Sequence, residues 1–198
     1  MSHYVVTIAR QFGSMGRPIA KKMAEELGIE FYDRDIVEEA ARRMNLPISV
    51  VSDREEKSGN LYFNMKYPLG SENKIIQQEI YDVQKNIILE LAQKESCIIV
   101  GRCSDAILEN YKNCMSVFIY APYAARFKNC VESLNMDPKE AKKMIADVDK
   151  ARDSFHKKYA KYLPNDPNHK DVMIDSSLLG EDGTVDILVE IVKRRFHL

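Results

Sequence analysis

The sequence predicts an α/β fold of three layers, a five-stranded parallel sheet with helices on both faces. Short apolar runs alternate with stretches of helical period along the chain, the pattern that builds a parallel sheet covered on both sides. The run CIIV (97–100) is apolar throughout, as a buried strand is. A chain of 198 residues with 45% hydrophobic content buries roughly 70% of the surface that it exposes unfolded, enough for one domain over 1–198 without disulfide or metal staples.

Taken in order, Tyr4–Ala9 (YVVTIA) reads as the first strand and ends in the loop RQFGSMGR. Ile19, Met23, Ala24 and Leu27 then recur at helical spacing, and Gly28 stands where a C-terminal cap belongs. Glu30–Tyr32 is a brief second strand before a helix over 35–44, which Pro47 bars from continuing. The stripe Ile76, Ile80, Val83, Ile87 and Leu91 predicts a long core-facing helix. Cys97–Val100 is the third strand, with Ser104 or Asp105 able to cap a short helix after it. Ser116–Tyr120 is the fourth strand, leading through Pro122 into a helix that carries Arg126. Asp137-Pro138 opens a long polar helix, with proline in its first turn. Asp171–Asp175 is the last strand and Thr184–Phe196 a closing helix. Two segments, about 47–75 and 138–165, read as insertions.

Lysine and arginine number 29 against 30 aspartate and glutamate, a net charge of −1, which argues against a general nucleic-acid binder. No apolar run approaches the roughly 20 residues of a membrane span, and MSHYVVTIARQFG lacks a signal peptide's basic flank and long apolar stretch. The expectation is a soluble, cytoplasmic protein with no membrane partner. Cys97, Cys103, Cys114 and Cys130 form no CxxC pair and read as reduced thiols. Tyr62, Phe63 and Tyr67 cluster in the first insertion, where aromatics can stack on a base, form a satellite cluster, or make a contact between copies in a homo-oligomer.

Three places can carry chemistry, all at the carboxyl ends of strands, where ligands of such sheets bind. Gly13-Ser14-Met15-Gly16 lies between a strand and a helix, so its amides and the helix N-terminus can hold phosphate; a plain glycine turn is the other reading. Against the strict GxxxxGK[ST] template, Gln11 takes the first glycine, Arg17 the lysine and Pro18 the hydroxyl residue. Gly101-Arg102 at the third strand's end suits a guanidinium gripping phosphate, or an arginine paired with a surface carboxylate. Asp149, Arg152 and His156 share one helix face, and Lys150, Asp153 and Lys157 another. Between Lys139 and Lys161, eight cationic side chains face four carboxylates. That helix is either solvated and laced with ion pairs, or able to close over a polyphosphate.

The runs TIARQFGSMGRPIAKKMAEELGIEFYDRDIVEEAA, IIVGRCSDAIL, DKARDSFHKKYAKY and DVMIDSSLLG, in this order, resemble the cytidylate kinase-like family of P-loop nucleoside monophosphate kinases. The resemblance implies a P-loop kinase fold with an acceptor-binding insert near 47–75 and a helical lid near 138–165, using ATP and Mg2+ on small nucleotide substrates. Carried over by position, Gly13, Ser14, Met15 and Gly16 wrap the donor phosphates and Arg17 takes the loop lysine's part. Asp33 and Arg34 face the acceptor, Arg102 holds its phosphate and Asp105 its sugar or base. Arg126, Lys150 and Arg152 are lid or hinge cations on the transferring group. Pro18 has no hydroxyl, so the metal falls to Ser14, a carboxylate or water. Cys103 stands where cytidylate kinases proper carry the aspartate of a GRD motif, and the nearest aspartate is Asp105. A nucleotide-binding module without transfer, and a kinase for a non-nucleotide acceptor with Asp33 as base, remain beside the nucleotide kinase.

Overall fold

The computed structural model describes residues 3–48, 51 and 71–198. Five strands, β1 (Val5–Arg10), β2 (Glu30–Tyr32), β3 (Cys97–Val100), β4 (Cys114–Tyr120) and β5 (Val172–Asp175), pair in parallel in the order β2-β3-β1-β4-β5. Seven α-helices accompany them among the described residues: α1 (Gly16–Leu27), α2 (Asp35–Met44), α3 (Ser71–Lys94), α4 (Ser104–Ile107), α5 (Tyr123–Lys128), α6 (Pro138–Tyr159) and α7 (Ser176–Phe196). Every strand expected from the sequence forms, with ends moved by at most two residues. The Tyr62, Phe63 and Tyr67 cluster and most of the expected 47–75 insert lie outside the described residues.

Alternation along β1 divides the core. Val6 and Ile8 pack with Ile19, Met23, Leu188 and Val192 under α1 and α7, while Val5 packs with Ile36, Ile87, Ile88 and Ile99 under α2 and α3. Central strands buried on both faces need apolar residues at every position, and β3 is fully buried from Cys97 to Val100. On α3 the buried centre runs through Ile80, Gln84, Ile87, Ile88 and Ala92, so Val83 and Leu91 flank the stripe instead of centring it. A third cluster, Cys130, Ala141 and Ile145 with Phe12 against it, supports the base of α6.

Local signals explain the boundaries. Gly28 closes α1 in the left-handed region, φ 63°, its N–H donating to the carbonyls of Ala24 and Glu25. Asp137 caps α6 by accepting from the N–H groups of Lys139 and Glu140, with Pro138 next. The closing helix starts eight residues earlier than the apolar period suggests: Asp175 caps a first turn by accepting from the Ser177 N–H, and Gly180, at φ 70° and ψ −172°, breaks it before the regular helix. The short helix α4 is capped by neither Ser104 nor Asp105 but begins behind Cys103, without a side-chain cap. All four cysteines are free thiols, and no described helix is long and apolar enough to cross a membrane.

Because β1 has β3 on one side and β4 on the other, its carboxyl end is the topological switch point, where a crevice opens. Arg10 pairs with Ile119 at the end of that ladder. The packing beneath α1 and α7 is tested at Leu188, which is fully buried. Leu188→Ala should lower stability by about 3 kcal/mol, read from the shift of a urea unfolding curve at constant slope.

Candidate active site

The loop between β1 and α1 is tight. Gly13 adopts φ 76°, and a Cβ there would lie 2.8 Å from both the Arg126 carbonyl and the Cys130 sulfur, so no other residue fits. Met15, at φ 59°, precedes α1 with no side-chain cap and no acid in the helix's first turn. Those conditions leave the positive end of the helix facing the loop. Not every group in the loop is open to a ligand. The Phe12 N–H donates to Asp149 Oδ1 at 2.7 Å and the Ser14 N–H to the Gln11 carbonyl at 3.4 Å. The Ser14 side chain is fully buried, its hydroxyl directed at the carbonyls of Gln11 and Ile119, 2.9 and 3.1 Å away. The Ser14 hydroxyl, expected from the sequence to hold a metal, here fastens the loop to β4. Ser176 adds a second tie, donating to the Ser14 carbonyl at 2.7 Å.

Arginines converge above this loop. Arg17 Nε donates to Asp33 Oδ2 at 2.5 Å, and Arg10 Nη2 lies 3.8 Å from Asp33 Oδ1. Asp33 is 4% exposed, whereas the Arg17 side chain is 60% exposed. At the end of β3, Gly101, Arg102 and Cys103 all have positive φ, 77°, 58° and 53°, a left-handed turn that is costly for the two residues carrying a Cβ. The turn brings Arg102 to a cavity of about 320 Å³ shared with Arg10, Arg17, Asp33 and Arg34. A second cavity, about 310 Å³, lies beneath α6 among Arg10, Arg102, Asp105, Lys143, Arg152 and Phe155. A third, about 450 Å³, covers the loop from Phe12 to Arg17 and also reaches Arg152. Arg10 borders all three. Burial, with the charges of Arg152, Arg102 and Arg17 outweighing that of Asp33, pushes its guanidinium down to about 9.

Helix α6 meets this region along one face, and the ion-pair-laced, solvated reading fails for that face. Asp149 accepts from Phe12 N–H and from Arg126 Nη1, the latter at 2.5 Å. Arg152 Nη1 donates to the Arg10 carbonyl at 3.1 Å. His156 Nε2 lies 3.0 Å from Asp105 Oδ2 and Nδ1 2.9 Å from the Tyr162 carbonyl, so the ring stands between two acceptors. Two expected cations are placed otherwise than anticipated. Lys150 is exposed, one position off the inward face, and borders none of the three cavities. Arg126 is buried and, besides Asp149, donates to the Phe12 carbonyl at 3.2 Å. It holds the loop's backbone and borders none of the three cavities.

Asp105, expected to face an acceptor's sugar or base, is 7% exposed and answers three partners: His156, Lys170, and more distantly Tyr162, whose hydroxyl is 3.4 Å away. Lys170 has no exposed side-chain surface. Sequence reasoning missed Lys170 and, above all, Arg10. The signal for Arg10 was present: a charged residue closes an otherwise apolar strand directly before the glycine loop. Among the described residues no cluster of histidine, cysteine and carboxylate side chains forms a metal cage.

Residues 5–178 match the model of the cytidylate kinase-like family. No curated protein matches the chain. Among solved structures, an uncharacterized protein from Eubacterium ventriosum is similar at 26% identity and a TM-score of 0.73, over 96% of this chain and 99% of that one. Shikimate kinase from Bacteroides thetaiotaomicron is similar at 12% identity and a TM-score of 0.56, over 98% and 99%. Shikimate kinase from Acinetobacter baumannii, solved with shikimate, is similar at 12% identity and 0.51, over 96% and 93%. The five-stranded parallel sheet and its helices are therefore those of the P-loop kinase fold.

The Asp105 cluster gives a pH dependence of known sign. Burial alone would raise its carboxyl, but His156 and Lys170 outweigh burial and hold it at about 2, below the usual 3.8. A lowered carboxylate stabilises the fold at neutral pH, and that contribution is lost as pH falls from about 4 to about 2. Asp105→Asn should cost about 3–5 kcal/mol at pH 7, because Lys170 is left buried beside a neutral group, and should flatten the acid limb. Urea unfolding between pH 7 and 2.5 measures both; a variant as stable as the parent at pH 7 would show that the cluster holds nothing.

Proposed function

The chain belongs to the cytidylate kinase-like family, and on that footing we propose that it transfers the γ-phosphoryl group of ATP to a small phosphorylated acceptor, a nucleoside monophosphate, with CMP or dCMP foremost. The observation that carries this reading is the meeting of Arg17, Arg102 and Arg152 around Arg10 at the carboxyl ends of β1 and β3, with Asp33 the carboxylate among them. Such a concentration of positive charge calls for a polyanion, and two phosphorylated substrates supply one.

In this reading the amides of Gly13, Met15 and Gly16 and the head of α1 receive the donor's phosphates. Arg102, held by its left-handed turn, grips the acceptor phosphate, with Asp33 and Arg34 lining the same cavity. Helix α6 acts as a lid, with Arg152 reaching donor and acceptor sides alike. Transfer is in line, and an anionic phosphate acceptor needs no general base. The residues present do not fit a protein-held magnesium site at the loop. Ser14's hydroxyl is buried, Pro18 has none, and Asp33 is committed to Arg17. Charge neutralisation by the chain itself is the work of arginine.

A kinase for a hydroxylated, non-nucleotide acceptor is the second reading, favoured by the buried carboxylate of Asp33 at the mouth of the same cavity. ADP formation from ATP and magnesium over a panel of nucleoside monophosphates separates the two, with Asp33→Asn alongside. Turnover with a pyrimidine monophosphate is expected, with Asp33→Asn raising KM more than it lowers kcat. Turnover only with a hydroxylated acceptor, abolished at saturation in Asp33→Asn, would favour the second reading. Arg102→Ala should raise the acceptor's KM by about 100-fold, the loss of a bidentate charged contact; an unchanged KM would remove Arg102 from the acceptor site.

A further inference from the structure

Arg17, Arg34, Arg102 and Arg152 were legible as candidates around the site; Arg10 is the arginine for which the surrounding structure leaves a passage. Gly16 and Gly101, on different elements, both flank the Arg10 side chain, and Gly101 also adopts φ 77°, which by itself favours glycine. A Cβ on Gly16 would fall 2.7 Å from Arg10 Cβ, and one on Gly101 would fall 2.5 Å from Arg10 Nη1. The side chain thus passes through a slot between the head of α1 and the turn after β3. Its backbone is held on both sides, by the ladder to Ile119 and by Arg152 at its carbonyl. The guanidinium that emerges borders the acceptor-side cavity, the cavity under α6 and the cavity over the loop. Arg17, the residue at the loop lysine's position, is more than half exposed and its Nε is given to Asp33.

We propose that Arg10 is the catalytic cation that bridges the donor's and acceptor's phosphates in this site, in the part that a loop lysine plays elsewhere. The proposal rests on the kinase reading above. During transfer an acceptor phosphate oxygen bonds to Pγ as the bond from Pγ to the β–γ bridging oxygen breaks, and the electron pair stays on ADP. Arg10 donates hydrogen bonds to both sides throughout and gives up no proton. A planar fork suits this better than an ammonium, because it can meet oxygens of two phosphates at once. The like charges crowded around Arg10 in the unliganded protein are what the anions relieve.

The test pairs a binding measurement that needs no turnover with the activity itself. Inorganic pyrophosphate is titrated calorimetrically into wild type, Arg10→Gln, Arg10→Lys and Arg17→Gln, and ADP formation and thermal unfolding are followed in each. Arg10→Gln should weaken pyrophosphate by about 30-fold, the loss of charged hydrogen bonds, and lower kcat by about 10³-fold, as loss of a transition-state arginine does. Arg10→Lys should recover much of the binding and little of kcat. Arg17→Gln should lose less than Arg10→Gln in both. Without ligand, Arg10→Gln should melt no lower than wild type, since a crowded cation is removed. Undiminished pyrophosphate binding in Arg10→Gln, a larger loss in Arg17→Gln, or a melting point well below wild type would overturn the assignment. Pyrophosphate binding lost in Arg10→Gln with no turnover of any acceptor by wild type would instead overturn the kinase reading and with it the transfer step, leaving Arg10 a phosphate ligand.

Discussion

Like charge held at close quarters governs this structure. Three guanidiniums and one carboxylate act on Arg10, and arginine does not escape repulsion by shedding its proton at physiological pH. The fold has to impose this arrangement through groups that cannot relax. The β1–β4 ladder fixes Arg10, the left-handed turn 101–103 fixes Arg102, and helix α6 fixes Arg152. Asp33 accepts from Arg17 and lies near Arg10, so the one carboxylate is shared by both. Residual positive charge is thereby stored where an anionic ligand can reach it, which is the electrostatic preorganisation that phosphoryl transfer draws on.

Helix α6 is tied to the same place by three residues of one face. Asp149, Arg152 and His156 reach the loop amide of Phe12, the carbonyl of Arg10 and the carboxylate of Asp105. Two of these ties end on the backbone of the phosphate loop or the residue before it. Lifting α6 would therefore withdraw an acceptor from the Phe12 N–H and a donor from the Arg10 carbonyl together, so helix position and loop conformation are coupled through hydrogen bonds, not only through contact. The third tie, at Asp105, lies among buried charges, where breaking one partner costs far more than an exposed ion pair returns. The helix is thus held most firmly at its carboxyl-terminal end.

The fold was legible because burial on both faces leaves a plain record. All five strands and the helices between them could be read from apolar runs, Gly28, and the Asp137-Pro138 cap. Spacing also placed Asp149, Arg152 and His156 on one face, although not what they would meet. The positions whose surroundings the sequence did not show share a cause. Ser14, Arg126 and Asp105 were assigned by residue type and analogy, while their contacts are with partners more than twenty residues away in the chain: Ile119, Asp149 and Lys170. Arg10 was overlooked for the converse reason. It ends a strand, and strand ends read as boundaries until the crevice they open into is known.

The departures from the strict phosphate-loop pattern belong together. A loop with lysine and a hydroxyl next to it neutralises phosphate with one flexible ammonium and a metal that the hydroxyl helps to hold. Here Pro18 removes the hydroxyl, Ser14 is turned into the protein, and Arg17 is bound to Asp33. Each change alone would weaken the grip on a polyphosphate. Taken with Gly16 and Gly101 opening a slot for Arg10, they describe a site in which charge is met by several rigid guanidiniums from different strands and helices. Rigid forks lose less freedom on binding than an ammonium on a long flexible stem, but they tolerate less displacement. The close fastening of loop, strand end and α6 is what such a site requires.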